Sequence, residues 1–587
     1  MMEPDDLNAP ELRDRAVAAA RGDAPFDLLI TGATLADLIT GQLRPADVGI
    51  CGPLIASVHP PATRSDTVRE IKADGLILTP GLIDTHMHIE SSMVTPETYC
   101  AAALPRGVTT IVWDPHEFGN VAGVEGVEYA TGCATRSPMR ILTLAPSCVP
   151  SAPGYETSGA DFGPEIIRDL LARDTIHGLA EVMDMAGVTA RAPRMRDIVQ
   201  AGLDAEKLVC GHARGLTGPM LQAYAAAGVA SDHELTSADD LVEKLQAGLT
   251  IELRGSHDHL LPEFAKVLQA LVQFPPTLTL CTDDLFPDDF LATGALDDVL
   301  RRMVRYGLAP MRTLQAATLN AAFRLGRRDL GLVAPGKRAD LVLFDDLEGF
   351  NAQNVIRDGQ IVTTSAAPVS PPASLMQTCK IAPMKATDFT VPAQGPFVRI
   401  ATIDRPRFTE WGQTRAKVEH GIIVPPEDTT MLAVIHRHGK RPAKPRVGFL
   451  RGWGNWQGAF ATTVSHDSHN LAVFGSSTAD MAIAANALIK AGGGMAVAKD
   501  GKLIAILPLP VAGLVSSEPL AKVAAGFGEI KNAMDSIVAW QPPYLVFKAL
   551  VGANLACNAG PHQSDMGIAD SLAGKLLESP ILEDGLN

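Results

Sequence analysis

The chain has no uninterrupted apolar stretch approaching the ~20 residues needed to cross a bilayer, so no membrane partner is expected. It has no Cys-x-x-Cys pair among its eight cysteines, which excludes the redox and zinc motifs built on that spacing. Cys210 and Cys281 sit inside apolar runs, and reduced, buried thiols of a cytosolic protein are the expectation. Positive charge is in short supply: 50 Lys and Arg against 66 Asp and Glu leave a net charge of -16. Binding a phosphate backbone needs a basic surface, so no nucleic-acid partner is expected. The start, Met1-Met2-Glu3-Pro4-Asp5-Asp6, lacks the basic segment and apolar core of a secretory signal, and a soluble, cytoplasmic protein is expected. What the chain does have is length and apolar content. At 587 residues and 46% hydrophobic it exceeds one ordinary domain and can fill large cores.

The first chemical signal is Asp84-Thr85-His86-Met87-His88, directly after the apolar run 76–83. Side chains alternate along a strand, so histidines at i and i+2 project to one side. Two neutral imidazoles aimed at one point suit a first-row transition metal. Five later apolar runs also end in a ligand or acid-base group: 108–113 into Asp114, His116 and Glu117; 178–180 into Glu181; 207–211 into His212; 229–232 into His233; and 278–282 into Asp283 and Asp284. Runs 141–146 and 249–254 carry no obvious ligand and bring the total to eight. Helix-like stretches over 163–173, 216–227 and 237–248 fall between them. Strands alternating with helices, with ligands at the strand ends, predict an α/β chain built on a (β/α)8 TIM-type barrel.

The order His-x-His, an anion after the fourth run, His after the fifth and sixth, and Asp after the eighth resembles the amidohydrolase superfamily of metal-dependent hydrolases. That resemblance implies His86, His88, Glu181, His212, His233 and Asp283 as metal ligands, with Glu181 where many binuclear members carry a carboxylated lysine. Within the superfamily, segments 85–92, 114–117, 180–183 and 464–470 resemble the bacterial adenine deaminase family, from about Phe26 to the C-terminus. The resemblance implies hydrolytic conversion of adenine, a small purine base, to hypoxanthine and ammonia, and two divalent cations. Mn(II) or Fe(II) are favoured, with Zn an alternative. A homo-oligomer, such as a dimer, is also implied.

Several side chains compete for the remaining roles. Asp283 is expected to ligate a metal and carry the proton of the attacking water to the leaving ammonia. The acid that protonates ring nitrogen N1 is either Glu181 or Glu117. His116 is expected to polarise the substrate or stabilise developing charge. Asp114 either contacts substrate or orients a ligand histidine, and Glu90 either points inward or fixes its loop. His466, Asp467 and His469 form a metal site or a lid over the purine, the alternative being a hydrogen-bonded turn. Trp453, Trp456 and Phe460 either stack on a base or fill a core. His257 and His259 are expected at the surface or capping a helix over 258–273, and Asp284 as a cap or support.

The expected organisation is a helical lead-in over 1–25, with Leu12, Ala16 and Ala19 on one face, and a small β-domain from 26–75 and 331–365. The barrel occupies 76–330, a Pro/Ser-rich linker 366–378, and an α+β domain 379–587. Gly492-Gly493-Gly494 is read as a turn after a helix and not as a phosphate loop. Two other functions compete: a cyclic-amide hydrolase of dihydroorotase or hydantoinase type, and a non-catalytic scaffold.

Overall fold

Strands rich in β-branched and apolar residues, with no polar face, need cover on both sides, which a parallel layer wrapped by helices provides. The computed structural model describes residues 6–363, 370–406, 408–539, 550 and 552–586; residues 366–369 of the expected linker and the first five of the lead-in lie outside them. The central layer holds β1 (Leu82–Met87), β2 (Val108–Trp113), β3 (Arg140–Thr143), β4 (Gly178–Val182), β5 (Leu208–Gly211), β6 (Ser231–Asp232), β7 (Thr250–Arg254) and β8 (Leu278–Cys281). Every residue of β2, Val-Thr-Thr-Ile-Val-Trp, is buried. Helices Pro164–Leu171, Gly218–Ala226 and Ala238–Gln246 fall between strands, the last capped by Ser237, whose hydroxyl accepts from Asp240 N at 3.1 Å.

The expected closed ring is not one unbroken ladder. The strands pair in parallel within three sheets, β3-β2-β1, β4-β5 and β6-β7-β8. The interruptions have local causes. Between β3 and β4, Ala145 exchanges backbone hydrogen bonds with Gly178 and Ala180, both at 2.8 Å, before Pro146 ends the supply of donors. Between β5 and β6, side chains take the backbone donors: Gly211 N donates to Ser231 Oγ at 3.3 Å and Ala213 N to Asp232 Oδ1 at 2.6 Å. β8 meets β1 just past its end, where Asp283 N donates to His86 O at 3.1 Å. Buried Asp84 of β1 adds to that junction, accepting from Thr282 N at 3.1 Å and Thr282 Oγ1 at 2.6 Å. The architecture is a TIM-barrel-like α/β fold.

Strands on either side of this layer in sequence pair with each other. Ile77–Pro80 runs antiparallel to Leu341–Phe344 in a six-stranded sheet, beside a four-stranded sheet that includes Phe26–Thr31 and Asp47–Cys51. Arg140, at the start of β3 and 2% exposed, fastens the layer to these sheets through ion pairs with Asp340 and with Asp358, the latter at 3.1 Å. Asp340 directly precedes the Leu341–Phe344 strand, and its other oxygen accepts from Asp358 N at 2.8 Å. Arg140→Met strips a buried carboxylate of this partner. Urea unfolding should show a loss of about 3–5 kcal/mol, and an unchanged midpoint would show the pairing to be dispensable.

A ten-stranded sheet follows, in which Thr429–Ile435 lies between Arg446–Arg451 and Leu471–Gly475. Helix Thr478–Ala491 packs on it and ends at Gly492, whose φ of 83° is the left-handed cap that glycine takes without strain. Gly493 leads from that turn into strand Gly494–Lys499, which starts under close contact, since a Cβ on Gly494 would lie 2.0 Å from Leu507 O. This sheet is docked to the barrel-like layer by stacking of Phe286 on Phe527 (5.6 Å between centroids) and by Lys531 Nζ on Asp288 Oδ2 at 2.7 Å. Val94, after β1, also pairs with Ser516. Among the described residues no helix is long and apolar enough to cross a membrane.

Candidate active site

The strand ends of β1, β4, β5, β6 and β8 point their polar residues at one another, as C-terminal rims of such layers do. Glu181 is the hub. Its Oε1 lies 3.5 Å from both His88 Nε2 and His116 Nδ1, and its Oε2 lies 2.6 Å from His212 Nδ1 and 3.2 Å from His233 Nε2. Asp283 faces the other side, with Oδ1 3.3 Å from His88 Nε2 and 3.6 Å from His86 Nε2. His86 stacks on His233 at 4.0 Å between centroids. The structure thus brings together all six residues expected as ligands, all buried. It also adds His116 with Asp114 to the His88–Glu181 group, and Glu252 of β7 to the His86–His233 group.

These distances test whether cations fit. Two ligands each about 2.1 Å from a shared tetrahedral cation stand about 3.4 Å apart, and most of the pairs above fall close to that. Both ring nitrogens of His86 are buried without a hydrogen-bond partner, an arrangement that costs free energy unless a further group engages them. Imidazoles mixed with carboxylates suit Zn, Fe(II) or Mn(II). The donor set fits divalent metal. Burial raises carboxyl pKa values, yet His233 and His212 hold Glu181 well below the usual range, and Arg254, His86 and His88 do the same for Asp283.

A second group of acids lies beside the first. Glu90 accepts from Trp113 Nε1 at 2.8 Å and from Phe118 N at 3.3 Å, so both of its oxygens are engaged and it fixes the loop. Burial, with the neighbouring Glu117 charge, pushes Glu90 up to about 8. Burial also raises Glu117, whose Oε2 has no hydrogen-bond partner. Asp114 sits behind His116, its Oδ2 3.2 Å from Nδ1, while its backbone carbonyl faces His88 Nδ1 at 3.0 Å. Asp284 accepts from Ser91 Oγ at 2.5 Å, in a supporting position.

The segment around 465–470 reaches into this site from the C-terminal sheet. Asp467 Oδ1 lies 3.7 Å from His116 Nε2, His466 Nδ1 3.6 Å from Glu117 Oε1, and His469 Nε2 3.9 Å from Glu117 Oε2. Ser465 N donates to His469 Nδ1 at 3.3 Å, so neutral His469 carries its proton on Nε2, directed at Glu117. That leaves an imidazole N–H facing the acid beyond hydrogen-bonding distance. The tryptophans take the core alternative: Trp453 and Trp456 are 1% and 5% exposed, and their indole N–H groups bond to Ile403 O and Trp453 O.

Two expectations for this region are corrected. In place of the helix expected over 258–273 there is a 3-10 stretch, Gly255–Leu260, kinked at the non-helical His257, followed by an α-helix, Leu261–Ala270. Neither His257 nor His259 caps that helix, which has no side-chain cap. His259 is exposed, but His257 is half-buried, with Nδ1 unpartnered. Sequence reasoning also missed Arg254 and Glu252. Both sit within a run that looks like ordinary strand alternation, and the one available signal was charge in an otherwise buried strand.

Comparison with known proteins agrees with this geometry. Residues 77–362 match the amidohydrolase family and residues 406–575 the adenine deaminase C-terminal domain. The chain is 61% identical over 588 residues to adenine deaminase 2 of Agrobacterium fabrum, covering 99% of this chain and 98% of that one. It is 62% identical over 586 residues to adenine deaminase 2 of Rhizobium etli, with the same coverage. Adenine deaminase of Klebsiella pneumoniae is 48% identical over 577 residues, 97% of this chain and 96% of that one. On these matches the chain belongs to the adenine deaminase family of amidohydrolases.

Proposed function

We propose that this protein hydrolyses adenine to hypoxanthine and ammonia at the rim of a closed (β/α)8 ring, with His86, His88, Glu181, His212, His233 and Asp283 holding two divalent cations, Mn(II) or Fe(II). The observation that carries the reading is Glu181 facing four imidazoles at 2.6–3.5 Å while Asp283 faces two at 3.3 and 3.6 Å. When bound, such cations bring the pKa of a water toward ~7 and so supply hydroxide at neutral pH.

The chain's own residues manage the protons. Asp283 takes one proton of the attacking water at Oδ1 and hands it to the exocyclic nitrogen as the C6–N bond breaks. Glu117 gives its proton to N1 while the C6–O bond forms. The hydroxyl proton of the tetrahedral carbon then restores Glu117, leaving hypoxanthine and neutral ammonia. Glu181 is a poor candidate for this acid because all its near neighbours are imidazoles that favour its anion. His116, oriented by Asp114, stabilises charge on the purine, and His466, Asp467 and His469 close the site from the C-terminal sheet and exclude water. Protein prepared with Mn(II) should convert adenine to hypoxanthine, followed by absorbance, with no turnover of dihydroorotate. Removal of metal by a chelator should abolish conversion, and Mn(II) should restore it. Dihydroorotate turnover without adenine turnover would overturn the reading.

A further inference from the structure

We infer that Arg254 is a positioning residue for Asp283, holding one carboxylate oxygen so that the other alone faces the reacting side. The inference rests on the function proposed above only for what Asp283 does once it is held. Arg254 ends β7, and its Nε lies 2.7 Å from Asp283 Oδ2 and donates to Ser256 Oγ at 2.7 Å. Ser256 Oγ in turn donates to the same Oδ2 at 3.1 Å, closing a small triangle. Asp283 Oδ1 is left toward His88 Nε2 and His86 Nε2. The terminal rotation of an aspartate is soft and broad, and the Ser256 hydroxyl donating to one oxygen, itself aimed by the Arg254 Nε–H and with the guanidinium charge beside that oxygen, removes that freedom. The backbone is pinned as well: Asp283 has φ 59° and is held by its N–H to His86 O and by its carbonyl accepting from His88 N at 3.4 Å.

Arg254 is itself held. Its Nη1 pairs with Glu234 Oε1, and Glu234 Oε2 takes Arg214 Nη1 at 2.5 Å. A chain of alternating charge, Arg214, Glu234, Arg254 and Asp283, therefore runs along the ends of β5 to β8. Arg214 follows His212 by two residues and Glu234 follows His233 by one, so the chain braces each ligand-bearing loop in turn. The Arg254, Glu234 and Asp283 side chains are 12%, 7% and 3% exposed, which keeps water from screening them. A planar guanidinium can engage both carboxylates at once, and a lysine ammonium on its flexible stem cannot hold that geometry.

The test uses the full chain loaded with Mn(II). R254M is paired with R254M/E234Q, which removes the carboxylate charge that loses Arg254 and keeps only Arg214, and with R254K. Positioning predicts kcat about 10²-fold lower in R254M/E234Q, KM within about twofold of the parent, and R254K between the two. It also predicts an altered Mn(II) EPR line shape at unchanged metal stoichiometry. Two results would overturn it. One is kcat within about twofold of the parent with the parent spectrum. The other is parallel loss of metal, folding midpoint and activity in all three variants, which would reduce Arg254 to support of the fold. If the parent itself fails to deaminate adenine, the functional reading falls, and the EPR comparison still decides whether Arg254 sets the Asp283 geometry.

Discussion

Glu181→Gln loses both metal and adenine turnover. The substitution keeps the shape of the side chain and removes its charge, leaving His88, His116, His212 and His233 around a neutral amide in a site closed to bulk water. Removing one partner from a buried charged arrangement costs about 3–5 kcal/mol, which corresponds to about 10²–10⁴-fold in metal affinity. Metal content per chain after gel filtration, measured beside the adenine-to-hypoxanthine absorbance assay, checks this. Excess Mn(II) should recover part of the activity, because the other five ligands remain. A variant that keeps two metals per chain and parent-level kcat would remove Glu181 from the centre of the site.

That hub was legible in the sequence for a physical reason. Parallel strands buried on both faces must be apolar, so the first polar residue after each run marks where the strand leaves the core. His86, His88, Glu181, His212, His233 and Asp283 all lie at or within a few residues of such exits, and the structure gathers them at one rim. Glu252 and Arg254 escaped the same logic because they alternate with the apolar Ile251 and Leu253 along β7, as residues on a solvent-facing side would. A charge in a short strand reads as an outward-facing residue unless its partners are known, and those partners, Glu234, Asp283 and Arg324, lie in the segments after β6 and β8 and in a later helix. The three-sheet arrangement was hidden too: Ser231 and Asp232 take backbone donors with their side chains, a choice that strand propensity does not encode.

The C-terminal segment shows a different limit. Ser465-His466-Asp467-Ser468-His469-Asn470 stands out by composition, but its position over Glu117 depends on docking of the whole sheet. Contacts far from the purine site hold it there. Arg437, fully buried, donates to His469 O, to Thr378 Oγ1 at 2.8 Å and to Ala512 O at 2.8 Å, and Asn470 Nδ2 donates to Thr157 O at 2.9 Å. No local pattern in the sequence points to those long-range bonds. Trp453, Trp456 and Phe460, the nearby aromatics with the right chemistry for stacking, are instead consumed by the core.

Glu117→Gln separates proton delivery from metal binding, and its outcome differs in kind from that of Glu181→Gln. Glu117 touches none of the six ligand side chains in the contacts above; it faces His466 at 3.6 Å, His469 at 3.9 Å and Ser91 Oγ at 3.5 Å. Metal content should therefore stay at the parent value. Burial keeps the carboxyl protonated more readily than a surface glutamate, and the neighbouring Glu90 acid has both oxygens engaged by Trp113 and Phe118, so Glu117 is the one free to give a proton. Glutamine preserves the volume and can donate a hydrogen bond, but it cannot transfer the proton that N1 must gain as C6 becomes tetrahedral. Loss of a general acid lowers kcat by about 10²–10⁴-fold, and KM should change little because the hydrogen bond to N1 survives. Steady-state kinetics with metal analysis on the same sample decides the matter. A Glu117→Gln protein with full metal and kcat near the parent would return the acid to Glu181, and the two carboxylates would then have to exchange the roles given to them here.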